Sequence, residues 1–112
     1  MKFKKANIIV YCKNKSYNKE LDNTTFSEVF CDNVTITYYR GHLVHRKNQY
    51  AVEWKDGTKE WFMDGKLHRI GGPAMEFSSG HKYWFLNGME YTEEKYLKRI
   101  KLKNKQRVLD EI

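Results

Sequence analysis

The chain has 112 residues, 15% of them aromatic and a single proline, with a formal net charge of +7. That composition excludes a disordered segment and leaves room for one domain with a modest core. The charge divides as +5 over residues 1–20, −1 over 21–91 and +3 over 92–112, so the basic character that could serve nucleic acid or an acidic protein lies at the two ends.

Residues 7–12, Asn-Ile-Ile-Val-Tyr-Cys, are β-branched and aromatic and predict a strand, and the polar run 13–23 predicts a loop. The apolar run here is too short for the hydrophobic part of a secretory leader. Cys12 and Cys31 therefore read as reduced, small core residues of a cytoplasmic protein. The sequons at Asn23 and Asn33 carry no weight without a leader. Residues 24–31 and 34–40 predict two more strands around an Asp32-Asn33 turn. No stretch reaches membrane-spanning length, so no membrane partner is expected.

From Tyr38 the chain repeats itself. Tyr38-Tyr39, Trp61-Phe62 and Trp84-Phe85 recur at a step of 23, which also carries His45-Arg46 to His68-Arg69, Ala51 to Ala74, Gly57 to Gly80 and Lys59 to Lys82. Asp64-Gly65 and Asn87-Gly88 predict two-residue hairpin turns, because a type I′ turn needs positive φ at both central positions. Asp56-Gly57 and Ser79-Gly80 supply a second turn per copy, and the sum is an antiparallel meander. Two-residue turns throughout set Met75 opposite Trp84, Phe77 opposite Lys82, and Glu53 opposite Glu60. Alternation then places Val52, Trp54, Trp61, Met63, Met75, Phe77, Trp84, Leu86, Met89 and Tyr91 on a covered face. Ala51, Phe62, Leu67, Arg69, Ala74, Tyr83 and Phe85 fall on a mixed, exposed one.

After Tyr91 the pattern changes. Thr92 suits a helix N-cap, and Glu93 and Glu94 suit the dipole of a first turn. Leu97, Ile100, Asn104, Val108 and Ile112 form a stripe at helical spacing, expected to dock on the apolar face through its two ends. The expected fold class is mainly β (α+β), an antiparallel β-meander of repeated hairpins with a C-terminal helix. It forms a single domain over 1–112, divided as 1–37, 38–91 and 92–112.

Trp61-Phe62, Asp64-Gly65, His68-Arg69, Gly72-Pro73-Ala74 and Gly80 resemble MORN-type repeats and their shorter relatives in bacteriophages and giant viruses. The resemblance covers residues 38–91. The upstream copy has Gly41-His42 in place of Asp64-Gly65, and the downstream one ends at Tyr91 where His would stand, as capping copies do. It implies a β-meander scaffold used for binding, with no shared reaction, and suggests a phage accessory protein, in the host cell cytoplasm if phage-encoded, that blocks a host or defence protein.

The residues themselves favour the same class. Trp61, His68, Pro73 and Trp84 read as serving the repeat, with His68 stacked on Trp61 and bonding the corner backbone, and Arg69 paired to Glu60. His42, His45, His68 and His81 do not converge on a metal, and no cofactor is expected. Glu53–Glu60 is the best carboxylate pair, but Arg69 beside it makes a solvated charge cluster, so no catalytic residue is assigned and the chain reads as no enzyme. Phe62, Leu67, Arg69, Tyr83 and Phe85 are the candidate partner-binding residues for a protein. Nucleic acid bound by the basic termini and these aromatics is the alternative, and self-association through an open sheet edge is a third.

Overall fold

The computed structural model describes the backbone of residues 2–5, 8–12 and 28–110 and the side chains of residues 28–104. The expected loop over 13–23 and the start of the strand expected from Thr24 lie outside these. Within them the fold is mainly antiparallel β with one C-terminal helix. The strands are β1 (Lys2–Lys5), β2 (Ile8–Cys12), β3 (Glu28–Cys31), β4 (Thr35–Arg40), β5 (Leu43–Val44), β6 (Val52–Trp54), β7 (Lys59–Glu60), β8 (Phe62–Met63), β9 (Lys66–Leu67), β10 (Met75–Glu76), β11 (Lys82–Leu86) and β12 (Met89–Tyr91), followed by α1 (Glu93–Asp110). The main sheet runs β1-β2-β3-β4-β6-β7-β10-β11-β12, with β5 on β4 and β8-β9 as a separate pair.

The N-terminal part adds β1, which the sequence did not suggest, and a parallel pairing of β2 on β3. That pairing places Cys12 opposite Cys31. Cys31 is disulfide-bonded, and Cys12 is the only other cysteine of the chain. The expectation of reduced cysteines is thus corrected: register between strands distant in sequence brings them together, and the reduced-thiol argument for a cytoplasmic location falls with it. The β3–β4 turn centres on Asn33-Val34, one residue later than expected, because Asp32 Oδ1 accepts the N–H groups of Val34 and Thr35.

Each copy divides into two halves. Its first strand pairs in the meander and then continues into a short hairpin, so β4 joins β6 through residues 35–37 and β5 through residues 39–40. The hairpins then stack. Arg46 N–H donates to Phe62 O and Gly65 N–H to Val44 O, and one copy later Arg69 N–H donates to Phe85 O and Gly88 N–H to Leu67 O. Asp64 and Asn87 both have φ of 51°, and Gly65 and Gly88 have 81° and 82°, the positive pairs that type I′ turns require. Gly41, with φ of 63° at the first central position, makes the first hairpin turn in their place.

The second turn of each copy corrects the expected register. Gly57 N–H donates to Trp54 O and Trp54 N–H to Thr58 O, and Gly80 and Phe77 do the same with Phe77 O and His81 O. These are three-residue loops closed by a glycine at positive φ, not two-residue turns. The extra residue moves every partner by one: Glu53 faces Lys59, Val52 faces Glu60, and Met75 faces Tyr83. The Glu53–Glu60 carboxylate pair therefore does not form. The face assignment changes as well, since Ala51 and Ala74 are fully buried whereas Trp54, Phe77 and Met89 are exposed. The core collects Val29, Tyr38, Ala51, Val52, Ala74, Leu86 and Tyr96. Both alanines sit in the meander ladder, where Tyr38 N–H donates to Ala51 O and Trp61 N–H to Ala74 O, and an alternating pattern does not reveal their burial.

Helix α1 begins where expected: Lys95 N–H donates to Thr92 Oγ1 and Tyr96 N–H to Thr92 O. It packs on β11 and β12, but its docking residue is Tyr96, 2% exposed, while Leu97 of the predicted stripe is 56% exposed. Ile100 is half-buried and Asn104 exposed; Val108 and Ile112 lie outside the described side chains.

Candidate functional site

The His-Arg pairs are repeat-building residues, with partners other than those expected. His68 Nδ1 accepts the N–H of Asn87 at 3.0 Å, and His45 Nδ1 accepts that of Asp64 at 3.0 Å. Each histidine thus secures the turn of the following hairpin, 19 residues on, and not its own corner. An Asp64 carboxylate oxygen lies 3.2 Å from the same His45 nitrogen. Because that nitrogen already accepts a backbone N–H, the contact is no ion pair. Burial, and then the charge of Lys103, hold the His68 pKa below its ordinary range, which keeps the accepting nitrogen free of a proton.

The arginines also repeat. Arg46 lies over the Tyr38 ring at 4.0 Å and Arg69 over Trp61 at 3.8 Å. Arg69 pairs with Glu76 at 3.2 Å, not with Glu60, and donates to Pro73 O at 3.1 Å. Gly72 makes this possible, since a Cβ there would stand 3.0 Å from the guanidinium carbon. Glu60 faces Val52 and Met75 instead, and burial raises its pKa against the bond it accepts from the Trp54 side chain.

Of the five candidate partner-binding residues, the stacked hairpins bring Phe62, Leu67 and Phe85 together. Phe62 and Leu67 are cross-strand partners, and the backbone bonds from Arg69 to Phe85 and from Gly88 to Leu67 join them to the next hairpin. All three are half-buried. Tyr83 stands apart in the meander half of β11, 40% exposed and edge-on to Phe77 at 5.6 Å. Arg69 is turned to Trp61 and Glu76. Trp84 is half-buried, and no arginine follows it at the repeat position, where Thr92 begins the helix.

The sequence did not point to a concavity between copies. A cleft of about 600 Å³ lies between the corner at Arg46 and Lys47 and the corner at Arg69 and Gly71, with Trp61 and His68 in its lining. Its volume is in the range of ligand pockets. The only sequence signal for it is the loss of bulk at Gly71-Gly72-Pro73. A smaller cleft of about 340 Å³ beside Trp84 and Tyr91 lies against the start of α1.

Among the described residues no group of three or more His, Cys, Asp or Glu is placed to hold a metal ion, and no helix is long and apolar enough to cross a membrane. No protein-family model matches the chain, and neither does any curated protein or solved structure.

Proposed function

We propose that the protein is a non-enzymatic binding module whose partner is another protein. The observation that carries this reading is the stacked-hairpin surface, where Phe62, Leu67 and Phe85 remain half-covered after every internal contact is made. Apolar side chains ringed by polar ones are the makings of an interface centre. The histidines and Arg69 of these copies are engaged in structural bonds: the histidines hold turns and Arg69 holds a corner. The resemblance to viral repeat proteins makes a host or defence protein the partner we propose, and inhibition by occlusion the mode.

The test is capture from lysate by the wild type and by Phe62→Ala/Phe85→Ala, followed by reconstitution with the purified partner. The expected result is a partner bound by the wild type and lost, or weakened more than tenfold, in the double variant with an unchanged circular dichroism spectrum. Equal capture by both would remove this surface from the proposal.

Helix α1 supports the second reading, nucleic-acid binding, because Lys95, Lys98, Arg99, Lys101 and Lys103 are all exposed on it. Binding through these cations should weaken steeply as salt is added. A gel-shift assay at low salt showing no complex with DNA or RNA would eliminate it.

A further inference from the structure

We propose that the cleft between the first two hairpins receives a tyrosine side chain carried in an acidic segment of the partner protein. This rests on the protein-binding reading above and names what that partner presents. Tyr50, Pro73 and Tyr96 occupy the same position in successive copies, at the step of 23. Tyr96 fills its place: its ring is buried, and its one hydroxyl proton is shared between Arg69 O and Ile70 O, each 2.6 Å away.

One copy back, Arg69 and Ile70 correspond to Arg46 and Lys47, and both line the open cleft. The residue that would deliver a phenol there is Pro73, which has none. Gly71 and Gly72 precede it, where the next copy has Glu94 and Lys95. A site that the fold fills with a tyrosine in one copy is thus left as a cleft in the copy before it. Arg46 and Lys47 have other interactions within the chain, but a carbonyl oxygen carries two lone pairs, so either carbonyl can accept a further donor. Burial raises the Tyr96 pKa, with the Gly72 backbone and the Arg69 charge opposing it, so the phenol donates at neutral pH.

The rim sets the flanking chemistry. Arg46, Lys47 and Arg69 line the cleft, and no Asp or Glu is among its lining residues. Acidic residues beside the incoming tyrosine complement that excess of positive charge, which speeds encounter and fixes orientation.

The experiment titrates the ¹⁵N-labelled full chain with Ac-Glu-Glu-Tyr-Glu-Glu-NH₂. Saturable shifts are expected at the amides of Lys47 and Gly71 and at the Trp61 indole. The phenylalanine analogue should bind roughly threefold to tenfold more weakly, the usual worth of one hydrogen bond. Gly71→Trp should abolish the shifts by filling the cleft: a Cβ at Gly71 meets nothing within 4 Å, and its φ is not in the left-handed range. Pro73→Tyr, which supplies the phenol from within, should do the same; if it fails to fold, Gly71→Trp carries the test.

Absence of shifts around the cleft, equal affinity for the phenylalanine analogue, or undiminished binding to Gly71→Trp would each overturn the proposal. Tighter binding of the phosphotyrosine peptide would also overturn it, by assigning recognition to the cations and not the carbonyls. A lysate partner that Gly71→Trp still captures sinks the tyrosine cleft while leaving the protein-binding reading intact.

Discussion

At the scale of single residues, the two histidines do one job in two degrees of burial. His45 is 2% exposed, whereas the bond from Asn87 to His68 is near solvent. Removing a buried acceptor leaves the Asp64 N–H without a partner, so His45→Ala should cost about 1–3 kcal/mol in urea unfolding, and His68→Ala about 1 kcal/mol or less. The pH dependence has a definite sign. The His68 pKa is lowered below its ordinary 6.5, so the unfolded chain takes the proton first. Its contribution is complete above about pH 6.5 and is lost as pH falls from there toward the folded value. The stability gap between wild type and His68→Ala should therefore shrink between pH 7 and pH 5. Glu60 behaves in the opposite sense, because its folded pKa is raised: its contribution is present at low pH and lost as the carboxyl ionises. Glu60→Gln should raise the thermal midpoint at pH 7 and leave it unchanged at pH 3. The recurrence of His-Arg was plain in the sequence. Its partners were not, since each lies on the next hairpin and linear spacing gives no account of how hairpins stack.

Among the elements, α1 shows where helical periodicity misleads. The stripe through Leu97 is real as a pattern, but a buried hydroxyl with two carbonyl partners decides how the helix sits. Tyr96→Phe should destabilise the protein by about 1–3 kcal/mol, because it leaves the Arg69 and Ile70 carbonyls short of a donor. Leu97→Ala should stay within about 0.5 kcal/mol, as exposed substitutions do. The reverse ranking in paired denaturation curves would refute this account of the docking. The turns teach a similar lesson. Asp64-Gly65 and Asn87-Gly88 could be read directly, because their sequence fits a single tight turn. Asp56-Gly57 and Ser79-Gly80 looked alike in sequence, yet a glycine closing a three-residue loop serves equally well there. That one-residue difference moved Glu53 from Glu60 to Lys59.

For the whole molecule, the meander followed from the repeat and the C-terminal helix from the change of pattern after Tyr91, while the N-terminal joint followed from neither. Nothing local marks a parallel pairing of β2 on β3, because it is made between strands separated by a long connection. The disulfide at Cys31 fastens that joint. Reducing it should lower stability by about 3 kcal/mol, mostly by freeing the unfolded chain. Cys31→Ala, in both the presence and absence of reductant, should match the reduced wild type to within the small packing cost of the substitution.

The stacking bonds have one more consequence. Every hydrogen bond that fastens a hairpin to its predecessor recurs at a fixed offset, from Val44 and Gly65 to Leu67 and Gly88. The gene should therefore tolerate editing by whole blocks: one extra 23-residue unit spliced into the middle copy ought to yield a longer protein of the same design, whereas an insert of one residue fewer or more ought to collapse it.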